Sequence, residues 1–252
     1  MSLTVDQPRE APADLAAGDP SGRSTLYRLA GVSAAVAALV TPIVIAVFTI
    51  WPPPYDESAE EWFRLYRDNP WLGLMSLDLG LVIVSALLIP VVLGICVALR
   101  RTLPALVATA GAVYLVSVAA YFATNTTFEM LSLSSRYAGA ATDAERVALL
   151  GAGEAMLATF DGTAFHVYYV LGQLAGIALG IIMLRTHLFG RAIPYLMVGG
   201  NAFGFLLYVP EVGLALSALS GVILWMWMVI IAPRFFGLAH EEIRAERMGV
   251  RI

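Results

Sequence analysis

Asp78 and His166 are the two side chains of this chain whose type and setting could carry chemistry at depth. Asp78 is the one charged residue inside any of its long apolar runs. His166 heads a set with Tyr169 and Gln173 at helical spacing. Residues three and four apart share a helix face, so imidazole, phenol and amide should project together. Asn201 lies near the middle of another run; Asn125 with Glu129, and Tyr208 with Glu211, lie at run ends. An ionised group at the centre of a membrane helix costs about 2.5–3.5 kcal/mol, so each needs a partner or a task. A carboxyl and an imidazole facing one cavity could hold a polar ligand, or act as acid and base. Each residue also has a structural reading. Asp78 can be protonated or bond a neighbouring helix, Asn201 and Gln173 can tie helices together, and His166 can bond at the membrane interface. Glu129, Asp161 and Glu211 can be solvated loop acids.

Other chemistries fit poorly. A membrane zinc site needs several converging His or carboxylate ligands, and of the histidines only His166 falls on the outer side, His187 and His240 being expected in the cytoplasm. Ser134 or Ser135 with His166 and Asp78 or Asp161 would supply the residue types of a triad, but no nucleophile-elbow motif surrounds either serine. No metal and no cofactor are expected. A net charge of −4 without any basic stripe argues against nucleic acid. Cys96, the sole cysteine, sits in an apolar run and reads as a small core hydrophobe. Asn125-Thr126-Thr127 matches a glycosylation sequon but lies too near the membrane to carry weight.

What must position these groups is a bilayer-spanning bundle. The chain is 59% hydrophobic and 13% charged, too little charge to cover a soluble fold of 252 residues. A helix needs about 20 residues to cross the roughly 30 Å hydrocarbon core. Six runs qualify: Leu29–Trp51, Trp71–Leu99, Thr102–Ala123, Thr163–Leu184, Ala192–Val209 and Val212–Ala232. Arg23 and Arg28, Arg100 and Arg101, Arg185 and Arg191, and Arg234 occupy alternate gaps, while the remaining gaps hold mainly acids. By the positive-inside rule both termini are cytoplasmic. Every basic residue is arginine, which with the alanine and glycine content hints at a GC-rich bacterial genome and an inner-membrane location.

The expected fold is all-α. Residues 1–24 read as a disordered cytoplasmic tail, 25–238 as the transmembrane domain of six helices, and 239–252 as a charged cytoplasmic segment. Short extracytoplasmic helices are expected in the first and third outer loops, where Ser58 with Glu61 and Thr142 with Glu145 have capping-box spacing. The second of these, Val147–Phe160, would pack across the outer mouth or re-enter the membrane. Pro42 and Pro90 should kink their spans. Gly172, Gly176 and Gly180, and Gly200 with Gly204, form small-residue ridges for close helix packing inside the bundle, or for a homodimer.

The stretches FEMLSLSSRY (Phe128–Tyr137), GEAMLATFDGTAFHVYYVLG (Gly153–Gly172), MLRTHLF (Met183–Phe189) and LYVP (Leu207–Pro210) resemble a bacterial and archaeal family of multi-pass membrane proteins catalogued as a domain of unknown function. The resemblance implies six helices and a prokaryotic inner membrane, and carries over no catalytic residue. The leading expectation is an outward-facing polar cavity over a dry cytoplasmic floor. Asp78, Asn125, His166, Tyr169, Gln173, Asn201 and Tyr208 would bind a small or amphiphilic ligand there, for transport or sensing. Membrane lipids are the other expected partner. The alternatives are a membrane hydrolase or transferase using His166 beside a carboxylate, and a non-catalytic assembly or accessory protein.

Overall fold

The structure, a computed structural model, describes residues 20–55 and 57–248. Its elements are α1 (Pro20–Ile50), α2 (Ala59–Asp68), α3 (Pro70–Ser76), α4 (Leu79–Leu99), α5 (Pro104–Thr124), α6 (Thr127–Ala138), α7 (Asp143–Phe160), α8 (Thr163–Met183), α9 (Ala192–Gly204) and α10 (Gly213–Arg247). A 3-10 turn, Phe205–Tyr208, continues α9. No strand occurs among the described residues. Five helical stretches are long and apolar enough to cross a membrane: Gly22–Ile50, Leu79–Leu99, Pro104–Ala138, Asp143–Met183 and Leu216–Arg247. A sixth apolar stretch, Ala192–Tyr208, is shorter. Leu39, Ile43, Leu106 and Val116 lie more than half exposed on these helices, an outer surface that suits lipid rather than water. The fold is that of a helical membrane protein.

Six helices close a ring in the order α4, α1, α10, α9, α8, α5 and back to α4, each packed on the next. The connections alternate between two ends. At one end Arg23 of α1 pairs with Glu242 of α10 at 3.1 Å, near Arg100 and Leu188; this is the arginine end. At the other end α2, α3, α6 and α7 pack into a cap. The main apolar core fills the ring around Val91, Ile95, Leu179, Met183, Ile231 and Phe235. A second core, Trp62, Phe63, Tyr66, Leu77 and Met130 among it, fills the cap.

Hydroxyl and amide groups bolt the cap to the ring. Four consecutive residues at the end of α5 each reach a carbonyl of another segment. Thr124 donates to Thr159 at 2.7 Å, Asn125 to Leu77 at 2.8 Å, Thr126 to Met156 at 3.4 Å and Thr127 to Leu74 at 3.2 Å. The Tyr66 hydroxyl bonds Thr127, Ser134 donates to Phe63, and the Ala59 N–H reaches Glu154 at 2.7 Å. Buried backbone carbonyls are costly when orphaned, so these bonds fix the cap as one body with the ring.

Proline creates one further cross-link. Pro42 has no N–H, so the Ala38 carbonyl one turn earlier loses its helical donor. The Trp225 indole on α10 supplies one at 2.8 Å.

Several boundaries differ from the sequence expectation. α1 begins at Pro20, so residues 20–24 are helical, while 1–19 lie outside the described residues. The second run is two helices, because Leu77 and Asp78 interrupt it. α10 runs unbroken to Arg247, so the described part of the charged C-terminal segment continues a ring helix. The Ser58 hydroxyl makes no cap bond: Glu61 is drawn to Arg64, and Glu154 serves the first N–H of α2 instead. At Thr142 the hydroxyl does accept from the Glu145 N–H, at 3.2 Å, and α7 starts there, four residues before Val147.

Candidate functional site

Asp78 stands at the interruption between α3 and α4 with a left-handed backbone, φ 65°. Aspartate and asparagine tolerate that region better than other residues with a Cβ. It therefore lies just outside the apolar span Leu79–Leu99, at its N-cap, and not within a transmembrane helix as the sequence suggested. The side chain is nonetheless buried, with 7% of the residue exposed. Among the described residues it accepts one hydrogen bond, from the Tyr121 hydroxyl at 3.1 Å.

Tyr121 is buried as well and stacks on Tyr168 with centroids 4.2 Å apart. The Tyr168 hydroxyl in turn lies near Ser85 of α4. Three ring helices, α4, α5 and α8, thus meet around one carboxyl and three hydroxyls. Tyr55, before α2, and Asp161, after α7, both lie within charge reach of Asp78, and Asp161 also feels His166. Burial pushes the Asp78 carboxyl up to about 7; the Tyr121 bond opposes this and the Asp161 charge adds to it.

A second cluster shares α8. His166 Nδ1 lies 3.1 Å from the Tyr208 hydroxyl. Tyr169 donates to the Gly204 carbonyl at 2.8 Å and contacts the Gln173 amide. A Cβ on Gly204 would overlap that amide and displace the end of the Gln173 side chain. Gln173 Oε1 is buried and has no hydrogen-bond partner among the described residues. Tyr168 faces the first cluster and Tyr169 the second, 6.4 Å apart, with Phe165 against both rings.

Of the residues singled out by sequence, His166, Tyr169, Gln173 and Tyr208 come together, and Asp78 lies next to them through Tyr168. Asp78 and His166 do not pair directly: one bonds Tyr121 and the other Tyr208. Asn125 holds the Leu77 carbonyl and so braces the interruption that presents Asp78. Asn201 donates to Met197 of its own helix at 2.7 Å and fills the notch left by Gly176. Asn201 also borders a small partly open cavity of about 70 Å³ with Tyr114 and Trp227, and Asp78 is not part of its lining. Gly172 faces Ser117, Gly180 faces Val198 and Gly200 faces Leu224, all inside the ring.

Reading the sequence missed Tyr121, Tyr168, Ser85 and Tyr55. Tyr121 stands one turn before Asn125, a signal that was available. The opposite end also differs from the dry floor expected: a cavity of about 240 Å³ opens there among Tyr27, Arg100, Arg101 and Glu242.

Fold and site together define a helical membrane-type ring with a buried acid and a tyrosine cluster beneath a helical cap. Compared with models of protein families, with curated proteins and with solved structures, the chain matches none.

Proposed function

We propose that this chain is an integral membrane protein crossing the bilayer six times, and that it binds a small or amphiphilic ligand beneath its cap. α9 and its 3-10 extension reach about 28 Å, since the 3-10 turn rises about 2.0 Å per residue against 1.5 Å in an α-helix. That approaches the roughly 30 Å hydrocarbon core, which supports a sixth crossing. The arginines gathered opposite the cap support cytoplasmic termini and an outer cap.

One observation carries the ligand reading: a buried carboxyl with a single hydrogen bond among the described residues, presented at a left-handed interruption where an apolar helix begins. Two carboxyls, Asp78 and Asp161, close enough to feel each other's charge, favour a cationic or amine-bearing ligand. The buried Gln173 Oε1 supplies a further acceptor.

A second reading, a non-catalytic assembly protein, draws support from the cap, whose buried hydroxyls are largely committed to protein carbonyls. An enzymatic role draws less, because His166 bonds a phenol rather than a carboxylate.

Native mass spectrometry of the protein extracted in mild detergent separates these readings. A small bound species on the wild type that is lost from Asp78→Asn, with the fold retained, supports the ligand site. The same occupancy in both proteins, or none in either, refutes it.

A further inference from the structure

The arginine end holds a cavity that the capped-end reading does not use. Five segments converge on the cavity of about 240 Å³: Tyr27 from α1, Val97 from α4, Arg100, Arg101 and Thr102 from the turn after it, Leu188 from the α8–α9 connection, and Leu238, Glu241 and Glu242 from α10. Both acids in its wall are already engaged. Glu242 pairs with Arg23 at 3.1 Å, each side chain 13% exposed, and Glu241 pairs with Arg234 at 2.8 Å. Arg234 is fixed in turn by a bond to the Leu188 carbonyl. Arg100 and Arg101 have no carboxylate within ion-pair distance among the described residues. Among the described residues, the pocket wall thus has two guanidinium groups outside any ion pair, with the buried Tyr27 side chain and an apolar surface beside them.

Position narrows the ligand class. Arg100 follows the last residue of a span and Pro104 opens the next helix, which puts the two arginines at the level where lipid headgroups lie. Guanidinium forks match phosphate oxygens in planar, bidentate geometry. Basic pockets between transmembrane helices are suited to phosphate headgroups. The volume falls below the range of about 300–1,000 Å³ of drug-sized ligand sites, which fits a headgroup rather than a whole amphiphile.

We propose that this cavity binds the phosphate of an anionic phospholipid, with Arg100 and Arg101 holding its oxygens, Tyr27 and Thr102 offering hydroxyls, and Val97, Leu188 and Leu238 packing against the first methylenes on its acyl side. It rests on the membrane placement but not on the ligand site at Asp78.

The test uses the full chain in detergent, titrated with phosphatidylglycerol, phosphatidylcholine or soluble glycerol phosphate while thermal unfolding and native mass spectra are followed. Phosphatidylglycerol should raise the unfolding midpoint and remain bound, and phosphatidylcholine should do neither. In Arg100→Gln/Arg101→Gln the affinity should fall at least about tenfold, because charge-assisted bonds are the strong class. Arg191→Gln, which removes an arginine of the same end outside the cavity, should bind as the wild type does. If the double variant does not fold, Arg101→Gln, whose residue is exposed, and Tyr27→Phe are read instead. Equal effects of the two lipids, or undiminished binding in the variants, overturn the proposal. Glycerol phosphate acting as strongly as the lipid would assign the site to a soluble phosphate ester and overturn the lipid source.

Discussion

Replacing Asp78 with asparagine removes a titration and little else. Asparagine keeps the shape, tolerates the left-handed backbone at φ 65° and can still bond the Tyr121 hydroxyl. The wild-type carboxyl moves from an ordinary 3.8 to about 7 on folding, chiefly through burial. The folded state therefore holds more protons than the unfolded chain between those values, and stability must fall as pH rises through that window. The contribution is whole below about pH 4, declines up to about pH 7 and is flat above. A displacement of about three units corresponds to at most about 4 kcal/mol. Chemical or thermal unfolding in detergent from pH 4.5 to 8 should show a steeper decline for the wild type than for Asp78→Asn, the difference isolating this group from the other acids. Tyr121→Phe should act in the opposite sense, since the phenol bond holds the carboxyl down, and should carry the decline to higher pH. Parallel profiles for wild type and Asp78→Asn would mean that Asp78 is solvated or paired in the folded protein, and the buried-acid argument would fall.

Three further expectations concern the frame around the site. Trp225→Phe should cost about 1–3 kcal/mol by orphaning the Ala38 carbonyl, and Pro42→Ala, which restores the helical N–H, should recover most of it in the double variant; additive losses in unfolding experiments would break the link. Gly176→Ala should destabilise by about 1–3 kcal/mol, because its Cβ would overlap the buried Asn201 side chain that a bond to Met197 holds in place, whereas Gly204→Ala, which meets only the movable end of Gln173, should cost less, and Gly199→Ala, with open space around it, should be near neutral by the same measurement. Thr124→Val removes the bonds to Thr159 and Phe160, so limited proteolysis should cut the α7–α8 junction faster while ring helices stay protected; unchanged cleavage would show the cap is held by its apolar core alone.

The apolar helices were legible from sequence because their signal is additive, whereas the order in which they pack was not. Runs such as Leu29–Trp51 and Trp71–Leu99, which overlap the helical stretches Gly22–Ile50 and Leu79–Leu99, need only length and apolarity, and no tertiary partner alters that requirement. Glycine ridges are legible for a related reason: Gly176 and Gly180 can do little in a helix except admit a neighbour. What escaped is whatever depends on a contact across the ring. Thr124, Asn125, Thr126 and Thr127 read as a polar run end, and Asn125 as a ligand contact, because nothing local reveals that each will meet a different segment's carbonyl. The interruption at Asp78 escaped for the same reason. Its neighbours Leu77 and Leu79 continue an apolar pattern, and only the Asn125 amide bound to the Leu77 carbonyl marks where the helix yields. An aspartate in an unbroken helix would face lipid or one helix neighbour. Set at a left-handed turn it points into the junction of α4, α5 and α8, within reach of Tyr121 and in the field of Asp161. The chemistry of the candidate site thus follows from one backbone torsion, and that torsion is a tertiary property.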